Sequence, residues 1–450
     1  MSIWITVAGG VIFLYLLLYR PALALVVFFT MTIAAVNFDI PGTGIRLRPL
    51  LAALLLVRSV FDRQFSPLDV INLPGYRILL SFFAYILLIS WGKETLYGEI
   101  IRLLLLSVVT AYLALYAFRL YQDSRLVKIS IVLAGLVCLA DLAYTYMMIG
   151  TFPVQRIYHL FFPNNLELEE LNDTNHNFYG FICGIAFVLL LTDYLSNTSF
   201  LKRFTLVLLP LMLMGVLMST SRSTLLGLIA ATIFIMYRGV KDPVARKRTF
   251  AVLSISGILA GVVLFSFIAI QSFFDLDSEF INNISFRLVE EPIAVIRKNL
   301  GYSYDVQNLD AMDWRKESAS LALEAYGNLP VHEQLTGVGI GGYLQRNLGH
   351  NGLNPHNGIL YILVECGLIG FLVYFYLVGS VLKNAFTRKP ISSLLLVYIF
   401  IIFYSFGQNE ELISATAILF LGTLIVENAF ASRDVEDSWL PVKRQKMTVV

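Results

Sequence analysis

The stretch NPHNGILYILVECGLIGFLVYFYLVGSVL, residues 354–382, decides how the rest of the chain is read. Asn354-Pro355-His356-Asn357 form a polar mouth, and in the run that follows, 358–382, Glu365 is the only charged side chain. A helix needs roughly 20 apolar residues to cross about 30 Å of hydrocarbon. Residues 357–382 therefore predict a transmembrane helix entered through a polar cluster. The run is continuous rather than alternating, so it does not fit a strand of an outer-membrane barrel.

The same kind of run recurs along the chain. Thirteen spans are predicted, at 3–19, 21–36, 47–61, 74–91, 100–121, 127–149, 177–195, 204–218, 223–237, 250–270, 357–382, 391–407 and 412–430, with twelve as the alternative because the third is short and the ninth starts at a polar break. Of the 450 residues 57% are hydrophobic and 14% charged, whereas soluble domains run near 45–50% and about 25%. A soluble enzyme, a disordered chain and a nucleic-acid binder are excluded. The fold class is an all-α polytopic membrane protein. Its parts are a helix bundle over 1–270, a long loop over 271–356, C-terminal spans over 357–430 and a tail over 431–450.

Orientation follows from the basic residues, because cytoplasmic loops carry the excess of Lys and Arg. With the N-terminus outside, 21 of the 33 Lys and Arg fall in cytoplasmic loops and the tail, and six fall in short external loops. The last six lie in the loop 271–356, too long to count. Segments 150–176 and 271–356 then both face outside, where ATP and nucleotide-activated sugars are absent, so a substrate there must carry its own leaving group. Cys138, Cys183 and Cys366 all lie in apolar runs, which supports neither a disulfide framework nor a zinc site. No Lys or Arg precedes the first run and no small-residue cleavage site follows it, so no cleaved signal peptide is predicted.

Polar side chains concentrate at the external ends of the spans. His356 and Asn357 stand at the mouth of span eleven and Glu365 about two turns deeper, where a carboxylate must face the bundle interior and be paired or neutral. A helix cap formed by His356 and Asn357 is the alternative reading of the same residues. Ser219-Thr220-Ser221-Arg222-Ser223 interrupts two apolar runs with hydroxyls and a guanidinium, a combination that can grip a phosphate bidentately. An ordinary turn with a snorkelling arginine is its alternative. Arg315, in Asp313-Trp314-Arg315-Lys316, and Arg287 are two further candidate cations in the long loop, each of which alone reads first as a solvated surface charge. Asn175-His176-Asn177 is a polar cluster at the entry to span seven, with capping as its default role.

Within the long loop, 280–300 and 313–326 have helical apolar spacing, the second presenting Leu321, Leu323 and Tyr326. The glycine cluster in LPVHEQLTGVGIGGY, residues 329–343, permits tight turns and close backbone approach. Asp275-Leu276-Asp277 lies on the wrong side for a nucleotide-sugar metal site and reads as a polar helix border. Asp141, in the middle of span six, is predicted to be buried in the bundle, with no partner visible in the sequence.

Taken together, these motifs resemble the bacterial O-antigen ligase and polysaccharide polymerase superfamily (WaaL-like and Wzy-like proteins). That family has a Ser-x-Ser-Arg at a span border and a long periplasmic loop with an Arg-led helix. A Gly-x-Gly turn follows, then Pro-His-Asn leading to Glu-x-Gly-x-x-Gly in a helix. The matching residues are Ser219-Thr220-Ser221-Arg222, Arg315, Gly337-Val338-Gly339, and Pro355-His356-Asn357 through Glu365, Gly367 and Gly370, over roughly 170–375. The family often has a Trp a turn after the loop arginine; here Ser318 and Ala319 stand in that region.

The resemblance implies a GT-C-type glycosyltransferase in the bacterial inner membrane, its site facing the periplasm. The implied donor is an undecaprenyl-diphosphate-linked oligosaccharide; the implied acceptor is a second such glycan or lipid A-core, or in a minority of relatives a protein. It implies Arg222 and Arg315, with Arg287, on the diphosphate, His356 as the base, and Asn357, Ser221, Asn177 and Glu365 as substrate-binding positions, with no metal or cofactor. Polymerisation is the favoured reaction and ligation the alternative. A lipid-glycan flippase or transporter is the rival of a different class, but it should show paired repeats and mid-membrane polar groups, and neither stands out here.

Overall fold

The computed structural model describes residues 2–34, 39–40, 45–62, 73–91, 108–118, 124–149, 176–195, 204–239, 310–348, 357–387, 392–407 and 414–431, with isolated positions between them. Most of the predicted span 250–270, the helix over 280–300, Asp275, Asp277, Arg287 and His356 lie outside the described residues.

The described chain is helical apart from one small hairpin. Helices α1 (Ser2–Tyr19), α2 (Pro21–Ile33) and α3 (Leu47–Val60) open it. They are followed by α4 (Pro74–Ser90), α5 (Val108–Phe118), α6 (Arg125–Ile149), α7 (His176–Leu195), α8 (Thr205–Ser219) and α9 (Arg222–Gly239). The loop supplies α10 (Asp310–Asn328), α11 (Val331–Thr336) and α12 (Gly342–Gln345), and the C-terminal part α13 (Gly358–Thr387), α14 (Ser393–Tyr404) and α15 (Ala415–Ala431). Strands β1 (Asp39–Ile40) and β2 (Ile45–Arg46) pair antiparallel between α2 and α3, a hairpin with no apolar period-two signal in the sequence. Among the described residues, α6 over Arg125–Met147, α7 and α13 are long and apolar enough to cross a bilayer, and seven further apolar helices are shorter. The protein is an all-α polytopic membrane protein.

Lipid tails are as apolar as Leu, so small residues and polar contacts decide which helices pack. α7 is the central helix, buried almost continuously from Tyr179 to Asp193. Its Gly184 lies against Phe400 of α14 and Thr224 of α9, and Cys183 abuts Gly215 of α8. Phe181 packs on Tyr404 with ring centroids 4.3 Å apart. α13 and α14 run antiparallel, joined by a hydroxyl pair between Tyr374 and Tyr398 at 2.9 Å.

These contacts sort the bundle into two ends. At one end α6 and α14 begin and α7 and α15 finish. There Lys128 pairs with Asp193 at 3.1 Å, and the hydroxyls of Ser124 and Ser392 both donate to Glu427. At the other end α7 and α13 begin and α4, α8 and α14 finish. Asn177, the Ser219–Arg222 segment and Asn357 lie at this second end, the one that the distribution of Lys and Arg predicts to be outside.

Candidate functional site

Arg222 is the first residue of α9, and the segment before it is a turn rather than a loop. Thr220 takes the left-handed conformation (φ 49, ψ 25) and ends α8. The Ser219 hydroxyl donates to the Val216 carbonyl at 2.7 Å and accepts the Ser221 amide at 3.3 Å. The Ser221 hydroxyl accepts the Thr224 amide at 3.3 Å and the Thr224 hydroxyl at 2.9 Å. Ser221 is thus the N-cap of α9, using the preference of serine for that position. The two spans meet almost without a connecting loop, and Arg222 emerges half-buried where the positive end of the helix dipole also favours an anion.

The entry to α7 lies against this turn. A Cβ on Gly180 would fall on the Ser219 side chain, so α7 runs against the Ser219–Ser221 turn one turn after its polar start at His176 and Asn177. Asp141 is buried, as expected, and it has a partner: the Tyr179 hydroxyl donates to its Oδ2 at 3.4 Å. The sequence could not show this pair because 38 positions separate the two residues.

The second half of the site is built on α13. Asn357 caps it, its Oδ1 accepting the amides of Ile359 at 3.1 Å and Leu360 at 3.2 Å. For Asn357 the capping reading therefore holds. Ten residues on, the helix is interrupted: Gly367 has φ 66 and ψ −179. An interruption in a membrane helix is tolerated when other groups satisfy the freed backbone, and here the loop does so. The Val364 carbonyl accepts the Val338 amide at 3.1 Å and the Glu365 carbonyl accepts the Gly339 amide at 3.0 Å.

The glycine cluster makes that approach possible. Gly337, Gly339 and Gly341 all have positive φ, and a Cβ on Gly337 would land on the Glu365 carbonyl. Glu365 is fully buried, and its Oε1 accepts the Tyr343 amide at 3.4 Å. Both carboxylate and carbonyl of Glu365 thus hold the turn. Pairing inside the protein was expected, and one partner is the loop's own backbone.

The returning loop has a small apolar core of its own, comprising Ala322, Leu329, Val338, Tyr343 and Val364. The Tyr326 hydroxyl donates to the Gln334 carbonyl at 2.7 Å, and Arg346 pairs with Glu333 at 2.7 Å. Burial raises the pKa of both Tyr326 and Tyr343, keeping these phenols neutral. α10 spans the predicted helix 313–326, and of the expected residues Leu321 and Tyr326 are half-buried, Tyr326 against the loop's own core, while Leu323 departs. Ser318 and Ala322 are buried while Leu323 is 51% exposed. Small residues at i and i+4 let α10 come close to α13, turning Leu323 away. Arg315 lies in the first half of α10.

The two halves are joined by α14. Tyr404, at its end, packs on Phe181 of α7, and the 3-10 turn Ser405–Gly407 touches both α9 and α13. The Ser221-Arg222 turn, Asn177, and the Asn357-capped mouth of α13 therefore share one end of the bundle. Sequence reading missed Tyr85 and Ser90 of α4, which also reach this region: the Tyr85 hydroxyl lies 3.0 Å from the Thr336 carbonyl and 2.8 Å from that of Cys366, and the Ser90 hydroxyl accepts the Ile340 amide at 3.3 Å. A tyrosine and a serine inside an apolar span carry no signal by themselves.

A family model described as O-antigen ligase matches residues 207–375. The match takes in α8, α9, the loop and the first part of α13, but not Asn177. No curated protein and no solved structure matches the chain.

Proposed function

We propose that the chain, whose residues 207–375 match a family model described as O-antigen ligase, transfers glycan from undecaprenyl diphosphate at the outer side of the bacterial inner membrane. The observation that carries this reading is the convergence just described. A serine-rich turn ending in Arg222, the polar entry of α7 and the capped mouth of α13 are brought to one end of an apolar bundle, the end that charge distribution assigns to the periplasm.

In the proposed reaction an acceptor hydroxyl attacks the anomeric carbon of the lipid-linked sugar. The new C–O bond forms as the bond to the diphosphate oxygen breaks, and undecaprenyl diphosphate leaves with the electron pair. Arg222, with Arg315 and Arg287, neutralises the charge growing on the diphosphate; groups placed where charge develops are usually the largest source of rate. The acceptor proton passes to His356, whose side chain has a reference pKa near 6.5. Asn357, fixed as the cap by the amides of Ile359 and Leu360, follows His356 directly in the chain. Asn177 and Ser221 line the approach, and Glu365 holds the glycine turn beside the mouth.

Polymerisation, with a second lipid-linked repeat unit as acceptor, is the reading carried forward. Ligation to lipid A-core is the second reading, favoured by the description of the matching family. The test is made in membranes containing the full chain, supplied with undecaprenyl-diphosphate-linked oligosaccharide. Longer lipid-linked chains are expected from polymerisation and core-linked glycan from ligation; consumption of neither donor nor acceptor sinks the proposal.

A further inference from the structure

α4 carries none of the motifs, yet it holds the place where α13 is broken. In an uninterrupted helix the Gly370 amide would donate to the Cys366 carbonyl. At the non-helical Gly367 that carbonyl is released from the ladder, and the Tyr85 hydroxyl donates to it at 2.8 Å. A phenol from a neighbouring span thus occupies the gap in the backbone ladder, the kind of insertion that accompanies helix kinks. The same hydroxyl hydrogen is shared with the Thr336 carbonyl at 3.0 Å, where the loop turns into its glycine cluster.

Two further details fit this role. A Cβ on Gly370 would meet the Tyr85 ring at 2.7 Å, so the second glycine of the Gly-x-x-Gly pair makes room for the ring. One and a half turns along α4, the buried Ser90 hydroxyl accepts the Ile340 amide at 3.3 Å. α4 therefore contacts the turn at both of its ends, Thr336 and Ile340, and the broken helix between them.

Resting on the function proposed above, we propose that Tyr85 is a positioning residue for glycan transfer. Its hydroxyl sets the outer segment of α13, residues 358–366, and the glycine turn relative to each other. It thereby sets the polar mouth of α13 relative to Arg222. Tyr85 acts through the backbone of these segments and need not touch the sugar.

The test uses the full chain in proteoliposomes with lipid-linked oligosaccharide extracted from a strain lacking this gene. Tyr85→Phe keeps the ring against Gly370 and removes only the hydroxyl. It should lower kcat about tenfold, the order expected for losing hydrogen bonds to buried backbone groups, with KM for the donor within about twofold of wild type. Hydrogen exchange at the Val338 and Gly339 amides should quicken while α7 stays protected. Ser90→Ala should move kcat in the same direction by less, and it decides the matter if Tyr85→Phe fails to accumulate. An unchanged kcat in the variant that folds, or a raised KM with kcat intact, overturns the proposal. Full turnover in Arg222→Ala sinks the transfer reading whatever Tyr85 does; an inactive Arg222→Ala beside a fully active Tyr85→Phe sinks the positioning role alone.

Discussion

The Gly339 amide donates to the Glu365 carbonyl at 3.0 Å, and this bond ties a loop to the interior of a membrane helix. It exists because Gly367, two residues on, leaves the helical conformation and frees that carbonyl. Loop and helix are therefore mutually dependent. The turn needs an unpaired carbonyl to dock on, and the break in α13 needs the turn's amides to be stable in an apolar setting.

That dependence makes two glycines of one helix behave in opposite ways. Gly367 combines φ 66 with ψ −179, a region essentially restricted to glycine, and a Cβ there would strike the Gly337 amide and the Leu335 carbonyl. Gly367→Ala should cost more than about 2 kcal/mol and expose 329–345 to limited proteolysis. Gly379, in the same helix, has nothing within 4 Å of its Cβ position. Gly379→Ala should leave activity unchanged and raise the thermal midpoint slightly, since alanine is favoured over glycine in a helix by about 1 kcal/mol.

Tyr179 and Asp141 provide a second test, on packing rather than the loop. Tyr179→Phe removes a donor from a buried carboxyl group and should cost roughly 1–3 kcal/mol, read as a lower midpoint in detergent. In an Asp141→Asn background the same change should cost less. Equal costs in the two backgrounds would show that the 3.4 Å contact contributes nothing.

Much of this organisation is legible in the amino-acid order because a bilayer leaves so few options. The run expected at 177–195 is α7 over His176–Leu195, and the polar break at 219–223 is the α8–α9 turn. Asn357 stands out because a polar residue at the start of an apolar run has few roles besides capping or binding. The break at Gly367 is not legible, since the residues on either side are all compatible with a helix and its cause lies thirty positions earlier in the glycine turn. Tyr85 is hidden for the same reason: its partners, Thr336 and Cys366, are 251 and 281 positions away. On α10 hydropathy singles out Leu321, Leu323 and Tyr326, but Leu323 is exposed, and the buried small residues Ser318 and Ala322 carry no hydropathy signal.

The assignment of bundle ends can be checked directly. A reporter active only outside the cytoplasm, fused after Asn308, should be active; fused after Lys241 or Lys389 it should be silent. Activity after Lys241 would invert the bundle and place Arg222 on the cytoplasmic side.

Arg222 tests the grip on the diphosphate. Arg222→Ala should abolish glycan transfer while the protein stays in the membrane at a near-normal level, because Ser221 rather than Arg222 caps α9. Arg222→Lys should recover only part of the activity, since a point charge does not reproduce a bidentate fork. Full activity in Arg222→Ala would reduce the residue to a border arginine.

The last prediction separates base from cap, and polymerase from ligase. Asn357 supplies the cap of α13 through its own Oδ1, so His356→Ala should leave the helix start intact. Losing a positioned general base typically costs 10²–10⁴-fold in rate, whereas losing a cap costs only about 1 kcal/mol of stability. Turnover should therefore stop with little change in protein level, and the lipid-linked donor should accumulate on the outer leaflet. The surface glycan of the mutant then reports the acceptor. Lipid A-core carrying a single repeat unit would mean that polymerisation failed while a separate ligase still worked. Bare core, with full-length chains accumulating on undecaprenyl diphosphate, would identify this protein as the ligase. Unchanged surface glycan, in a strain with no second copy of the gene, would remove His356 from the chemistry and sink both readings.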